Sequence, residues 1–477
     1  MSPRAPRPAA VHGAAVARVA FAILVVLAAP RVDASDAPTL VEAWRSAERH
    51  DADIGVSRAE HRAGQARRVQ STRVWRPSVT LTATGGLGRA DTSVDGARFS
   101  APGFGTSTGV AFDTSVNAGA SGQFVIAARQ PIFSRELDAR TRELALSADA
   151  ADLQWEAARQ ELMLRTAERW LEVSLAAEVL RVARGQQEAV ARALAEATER
   201  YRIGDAPVTG THEARARMEA IGAQILAAET ELDAREVALA DMTGLPRETF
   251  RIGPPVRTPP DAPLELLEPL PRWLDEAASR NPAIRLGAVD AGVARERAAT
   301  LGHAASPSID LVARAGRERI SGHGDDGSAA NAAGNALIGL QITVPLYTGG
   351  MRDARHEEAR HQVERAEAAV ERTRRLVARQ TRAAWLGLSA GAGRIAALTQ
   401  GLVASEARLA STRMGAQIGD RSTLELLDAE NDTADAALSL ARARVGLLAD
   451  RLRLAALAAR LDEADLLRVE QALLPPR

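Results

Sequence analysis

The run Pro77-Ser78-Val79-Thr80-Leu81 decides the fold, because it recurs as Pro307-Ser308-Ile309-Asp310-Leu311 with its surroundings. Upstream, Ala47 to Ile54 matches Ala277 to Ile284 at the same offset. Downstream, Pro131-Ile132-Phe133 matches Pro345-Leu346-Tyr347, and Ile203-Gly204-Asp205 matches Ile418-Gly419-Asp420. The order is the same in both halves, so the chain is an internal duplication. The offset shrinks once, inside stretches rich in Gly and Ser: Gly85 to Gly122 and Gly316 to Gly334. Both stretches read as loops, where length changes are tolerated.

Each half reads helix, strand, loop, strand, very long helix, turn, helix. In the first strand, Ser78 to Leu87, Val79, Leu81, Ala83 and Leu87 face one way, and Ser78, Thr80, Thr82 and Thr84 the other. Its return strand, about Gly122 to Pro131, sets Phe124, Ile126 and Ala128 against Gln123 and Arg129. In the second half Ile309, Leu311 and Ala313 oppose Ser308, Asp310 and Arg314, and Ile338, Leu340, Ile342 and Val344 oppose Gly339, Gln341 and Thr343. This period of two is the pattern of a transmembrane barrel strand and equally of a half-buried soluble hairpin.

The helices separate the two readings. From Ser134 to about Arg202 there is no proline and a single glycine, Gly185. Leu137, Leu144, Ala148, Ala151, Trp155, Ala158 and Leu162 recur at spacings of threes and fours. A continuous helix of that length reaches roughly 100 Å at about 1.5 Å per residue. The matching stretch runs from about Met351 to Gly415, and second helices are expected at about Thr211 to Met242 and Ser422 to Leu461. Hairpins this long make a rod or the wall of a tube. Four strands cannot close a barrel, for which about eight is the practical minimum. Open edges in lipid leave backbone groups unpaired. If the strands lie in a membrane, several copies must share one barrel.

Composition bounds the rest. Aromatics are only 3%, while Ala and Arg are abundant, which suits long helices packed through small side chains. The net charge of -1 gives no reason to expect nucleic acid as a partner. With no cysteine there is no disulfide, thiolate metal site, cysteine nucleophile or Cys-linked lipid. Arg4, Arg7 and Arg18, the apolar run Val19 to Ala29 and Val32-Asp33-Ala34 read as a signal peptide; a membrane anchor is the other reading of that run, which is short for one. The expected organisation is a signal peptide at 1–34, a first repeat at 35–245, a Pro-rich linker at 246–271, a second repeat at 272–465 and a tail at 466–477.

At this point the sequence resembles the TolC family of outer-membrane factors. The carrying residues are the two Pro-Ser strand starts, Gln130-Pro131-Ile132-Phe133, Val344-Pro345-Leu346-Tyr347-Thr348-Gly349-Gly350, and two turns. The turns are Tyr201-Arg202-Ile203-Gly204-Asp205 through Glu213-Ala214-Arg215, and Gly419-Asp420-Arg421-Ser422-Thr423-Leu424-Glu425-Leu426-Leu427-Asp428-Ala429. The end, Asp462-Glu463-Ala464-Asp465-Leu466-Leu467, also resembles that of the family. The ordered set spans nearly the whole mature chain.

The resemblance implies a mainly α fold with a membrane β part. Four transmembrane strands per protomer would enter a shared trimeric barrel, continued by a helical periplasmic tunnel. It implies an outer-membrane homotrimer contacting lipid, a periplasmic adaptor (membrane fusion protein), and an inner-membrane ABC transporter or proton-driven pump. The cargo would be a type I secreted protein such as a toxin, or drugs; protein secretion is preferred and multidrug efflux is the alternative. Lack of a lipidation Cys places the chain nearer the founding member than the lipoprotein branch. No cofactor, metal or catalytic residue is implied.

The family's gate lies at the helical turns. By alignment Glu425 and Asp428 take the acidic pore positions and Arg421 the basic position of the gate salt bridge, while Glu213 aligns with Asp428 across the repeat. Gly204, Asp205, Gly419 and Asp420 mark the tip facing the adaptor. Glu425 and Asp428 are three apart and share a helix face. Without a pore the same residues read as a capping box from Ser422 and a favourable N-terminal charge. Gly210 stands where the family often carries Asp, and Ala416 where an aromatic often sits, so a differently held gate is expected.

Three other motifs fail on context. Gly387-Leu388-Ser389-Ala390-Gly391 matches a GxSxG elbow but lies inside a helical stretch, where small residues serve close packing. His356 and His361 are five apart, whereas two metal ligands on one helix face need four. Gly103 to Gly109 leads to no helix N-terminus and so offers no phosphate cradle. The rival overall reading is a soluble periplasmic adaptor or coiled-coil scaffold; an enzyme is a distant third.

Overall fold

The computed structural model describes residues 38–205, 207–250, 252, 268–324 and 327–473. The signal peptide expected at 1–34 and most of the Pro-rich linker lie outside these residues.

The first repeat carries α1 (Leu40–His50), α2 (Ala52–Ser71), β1 (Ser78–Ala101), β2 (Gly105–Ser134), α3 (Arg135–Arg202) and α4 (Thr209–Thr243). The second carries α5 (Leu270–Arg280), α6 (Pro282–His303), β3 (Ser308–Gly324), β4 (Gly327–Thr343), α7 (Met351–Gln417) and α8 (Thr423–Leu457), and α9 (Glu463–Leu473) follows. Two helices, not one, therefore precede each strand pair. The break between them recurs across the repeat, because Asp51 and Asn281 each cap the second helix by accepting from backbone N–H groups.

The long helices are continuous: α3 has 68 residues and α7 has 67, about 100 Å each at about 1.5 Å per residue. Far from the sheet α3 packs antiparallel to α4, and α7 to α8; nearer the sheet α3 packs on α2 and α6, and α6 on α7. Small residues allow these close approaches. A Cβ added to Gly64 would lie 2.3 Å from the Ala151 Cβ, one on Gly387 2.0 Å from an Asp450 carboxylate oxygen, and one on Gly391 2.5 Å from Leu447 Cδ1. The GxSxG look-alike is thus the seam between α7 and α8.

The main core lies at mid-length. Leu40 and Trp44 of α1, Trp170 and Leu171 of α3, Leu239 of α4, Leu452 of α8 and Leu466 and Val469 of α9 are buried together. The expected tail from 466 is therefore corrected: α9 is a core element. Asp462 and Asp465 bond each other's backbone N–H groups at its start, and Leu466, Val469 and Leu473 follow at helical spacing and are buried.

The strands form one antiparallel sheet in the order β1-β2-β3-β4. Its register aligns Val79 with Ala128, Ala128 with Ala313, and Ala313 with Ile338. Leu81, Ile126, Ala315 and Ala336 form the next row. Because paired residues share a face, the apolar side chains of all four strands stand on one side. Leu81, Phe124, Ile338 and Leu340 are each more than 60% exposed there. No helix among the described residues is long and apolar enough to cross a membrane.

The Gly-rich stretches are corrected from loops to strand. β1 and β2 pair out to Ala101 and Gly105, and β3 and β4 to Gly324 and Gly327. The backbone ladder carries most of this pairing, with Val116 and Ile320 as isolated buried side chains, so no regular apolar alternation marks it. Glycine has a different task here. A Cβ on Gly322 would lie 2.0 Å from the Ala118 carbonyl oxygen, so the two strands approach where only glycine fits. Four strands about 4.8 Å apart would hold the outer two about 14 Å apart in a flat sheet. Yet the Asn331 side-chain amide donates to Thr92 Oγ1 at 2.7 Å, so the outer ends curl and β4 reaches β1.

Candidate functional site

The helical hairpins end in two turns of one design. In the first, the N–H groups of Ile203, Gly204 and Asp205 donate to the carbonyls of Glu199, Tyr201 and Arg200. In the second, those of Ile418, Gly419 and Asp420 donate to Met414, Ala416 and Gly415. Gly204 has φ +83° and Gly419 φ +80°, the left-handed conformation that ends a helix cheaply only with glycine. The recurring Ile-Gly-Asp is therefore a geometric requirement of the turn.

The side chains diverge. At the start of α8, Ser422 accepts from the Glu425 N–H at 3.2 Å, and the Glu425 carboxylate accepts from the Ser422 N–H at 2.8 Å. Arg421 completes the cluster at 2.8 Å from Glu425. The backbone N–H and hydroxyl of Ser422 and the Arg421 guanidinium hold the Glu425 carboxyl down at about 2, from an ordinary 4.5. At the start of α4 the capping position is Val208, with no side-chain bond and no acidic residue in the first turn. Gly210, which corresponds to Glu425, lets α4 approach α8; a Cβ there would sit 3.2 Å from Thr423 Oγ1.

A cleft of about 610 Å³ separates the tips. It brings together Asp205, Glu213, Gly419, Asp420, Arg421 and Glu425. Gly204 and Asp428 are not among its lining residues. Asp428 sits across the α4–α8 seam, 3.8 Å from Arg217. Glu213 is exposed and has no ion-pair partner among the described residues.

Two groups were missed in the sequence. Arg200 pairs with Asp205 at 2.8 Å and also donates to the Ala416 carbonyl on the other hairpin at 3.0 Å, tying the tips together. Arg421, the basic residue expected to hold the gate, is bonded within its own turn. Arg217 is the second missed residue, as the partner of Asp428. Arg200 stands five residues before Asp205, and that spacing around a left-handed glycine was the available signal. The carbonyl acceptor on Ala416 left none, because any residue supplies one.

Beneath the tips, Val190, Ala214, Ile221, Leu426 and Leu427 form a separate small core. Six exposed apolar side chains ring the turns: Tyr201, Ile203, Val208, Met414, Ile418 and Leu424. Among the described residues no group of three or more His, Asp or Glu side chains is placed to hold a metal.

Comparison with known proteins places this architecture. The family model described as Outer membrane efflux protein matches residues 44–245 and 273–460, most of the chain. Outer membrane protein TolC of Escherichia coli (strain K12) is 28% identical over 355 residues, covering 70% of this chain and 69% of that protein. Proteases secretion protein PrtF of Dickeya chrysanthemi is 26% identical over 436 residues, 90% of each chain. The crystal structure of the outer membrane protein VceC of Vibrio cholerae superposes with a TM-score of 0.69 at 17% identity, over 88% of this chain and 95% of that one, and so shares the fold.

Proposed function

This chain belongs to the outer membrane efflux protein family, and from that premise we propose that it is the exit duct of a tripartite machine for type I protein secretion. It is an outer-membrane protein that extends into the periplasm, as its relatives are, and its family consists of ducts and not enzymes. The observation that carries the finer reading is the match to a proteases secretion protein over 90% of both chains. Multidrug efflux with a proton-driven pump is the second reading, favoured by the family description itself.

The assembly follows from the sheet. Its apolar face is exposed along the inner part of all four strands, the face a bilayer covers. Neither β1 nor β4 has a partner on its outer edge there, and unpaired edges in hydrocarbon cost several kcal/mol per group. Three copies placing their strands in one ring remove the edges and exceed the minimum of about eight. The helical hairpins then hang from the inner end as a periplasmic tunnel. The exposed apolar ring at the tips offers a docking surface to an adaptor, which links the duct to an ABC transporter in the inner membrane.

Glu425, Asp428 and Glu213 form the constriction in this reading. Repeated about a threefold axis, they give carboxylate rings that attract cations. Arg421 and Arg217 partly neutralise two of the three. Arg200, which reaches the neighbouring hairpin, is the better candidate for the tie that must break on opening. In planar bilayers, Glu425→Ala with Asp428→Ala is expected to weaken block by divalent cations; unchanged block and conductance would remove the ring from these positions. Deleting the gene tests the cargo. Loss of one or a few proteins from the medium with unchanged drug susceptibility supports secretion, and the reverse pattern establishes efflux.

A further inference from the structure

On β3, the side chains facing the apolar side are Ile309, Leu311, Ala313 and Ala315, and the next two on that side are Arg317 and Arg319. Apolar character thus gives way to two guanidinium groups in consecutive positions of one strand face. Both are exposed. Neither has an ion pair or a side-chain hydrogen bond among the described residues. Glu318 cannot serve them, because successive strand residues point to opposite faces.

Three of their four cross-strand neighbours are Gly or Ala. Arg317 stands between Phe124 of β2 and Gly334 of β4, and Arg319 between Gly122 and Ala332. A Cβ on Gly122 would meet nothing within 4 Å. Arg319 therefore rises between two small residues with open space beside it, and Arg317 stands between the Phe124 ring and Gly334. On β1 the apolar face continues to Leu87, which is 91% exposed; an edge that climbs from one strand to another is what tilted barrel strands require.

We propose that Arg317 and Arg319 form a clamp for the phosphate of a lipid headgroup at the outer rim of the membrane-embedded face. The inference rests on the reading that this face lies in lipid with the hairpin ends outside. Two guanidinium groups about 7 Å apart along a strand, at about 3.3 Å per residue, match the charge of a phosphorylated headgroup and bind its oxygens bidentately. A basic pair placed only for solubility needs no clear space around it and would accept neighbouring carboxylates. At the end of an apolar band, the headgroup phosphates are the anions within reach.

The test uses the full chain. It is reconstituted in phosphatidylcholine vesicles containing lipid A, a glucosamine disaccharide lipid with two phosphates, or its dephosphorylated form. Lipid co-purifying with the protein after gentle detergent extraction is then counted. The expected result is retention of the phosphorylated lipid by the unsubstituted chain, its loss in Arg317→Gln with Arg319→Gln, and partial retention in the double Lys variant. Equal retention by the Gln variant, or of the dephosphorylated lipid, overturns the clamp. The chain contains no cysteine, so Leu340→Cys gives one labelling site for an environment-sensitive dye. A dye in hydrocarbon with no retained lipid A sinks the clamp alone, whereas a dye in water sinks the barrel reading and the clamp with it.

Discussion

At both tips the chain leaves a long helix through the same three backbone hydrogen bonds and a glycine near φ +80°, yet only the α8 end carries a side-chain cap. The duplication has kept what the turn cannot do without and released the rest. The second tip closes on itself through Ser422, Glu425 and Arg421. It also sends Leu426 and Leu427 into the small core, where the corresponding residues of the first tip are Thr211 and the exposed His212. The first tip depends on its neighbour, since Arg200 finds its second acceptor on the other hairpin. The two ends share one core, but the second turn is capped by its own side chains and the first is tied by Arg200 to its neighbour. Movement between them must break the Arg200 contact as well as the Arg217–Asp428 pair.

The contrast can be broken at its strongest point first. Leu427, 2% exposed, should cost about 3 kcal/mol on replacement by Ala, whereas His212→Ala should cost under about 0.5 kcal/mol. Hydrogen exchange of the tip amides measures both, and equal losses would erase the asymmetry. Arg200→Gln should cost roughly 1 kcal/mol, given its partial exposure. It should loosen the first tip more than the second, as exchange read separately on the two turns would show. Ser422→Ala removes a cap worth about 1 kcal/mol and should raise exchange only at the start of α8; spread into α4 would mean the tips are one unit. The smallest effect is pH dependence. Glu425 has a folded value held down near 2 against an ordinary 4.5. Its contribution is therefore complete above about pH 4.5 and is lost as pH falls from there towards 2. Carboxyl NMR titration should find this at the α8 start, with no counterpart at Gly210.

The duplication, the four alternating strand segments and the extents of the long helices were legible in the sequence. Each is enforced by a repeating pattern: period two at Val79, Leu81 and Ala83, or the absence of proline from Ser134 to Arg202. The outer hairpins were not legible, because past the apolar band neither face needs a regular pattern and Gly-rich pairing looks like loop. The start of α9 was hidden by its brevity, although Leu466, Val469 and Leu473 already stood at helical spacing. At the candidate site the cap and the turn glycines could be read, being local. The Arg200 and Arg217 contacts could not, since they join hairpins whose relative register no local pattern records.

The contact between α1 and α9 also sets an order of events. Leu40 and Leu466 are fully buried in one cluster, and Arg45 pairs with Glu463 at 2.9 Å. More than four hundred residues separate these partners in sequence. A polypeptide threaded N-terminus first through a translocation pore presents Leu40 and Trp44 long before their cover emerges. Until Leu466, Val469 and Leu473 arrive, the mid-length core has a greasy notch that a periplasmic holding factor could grip and a protease could find. A chain interrupted before Glu463 would carry every described strand and both hairpins and still leave this core uncovered.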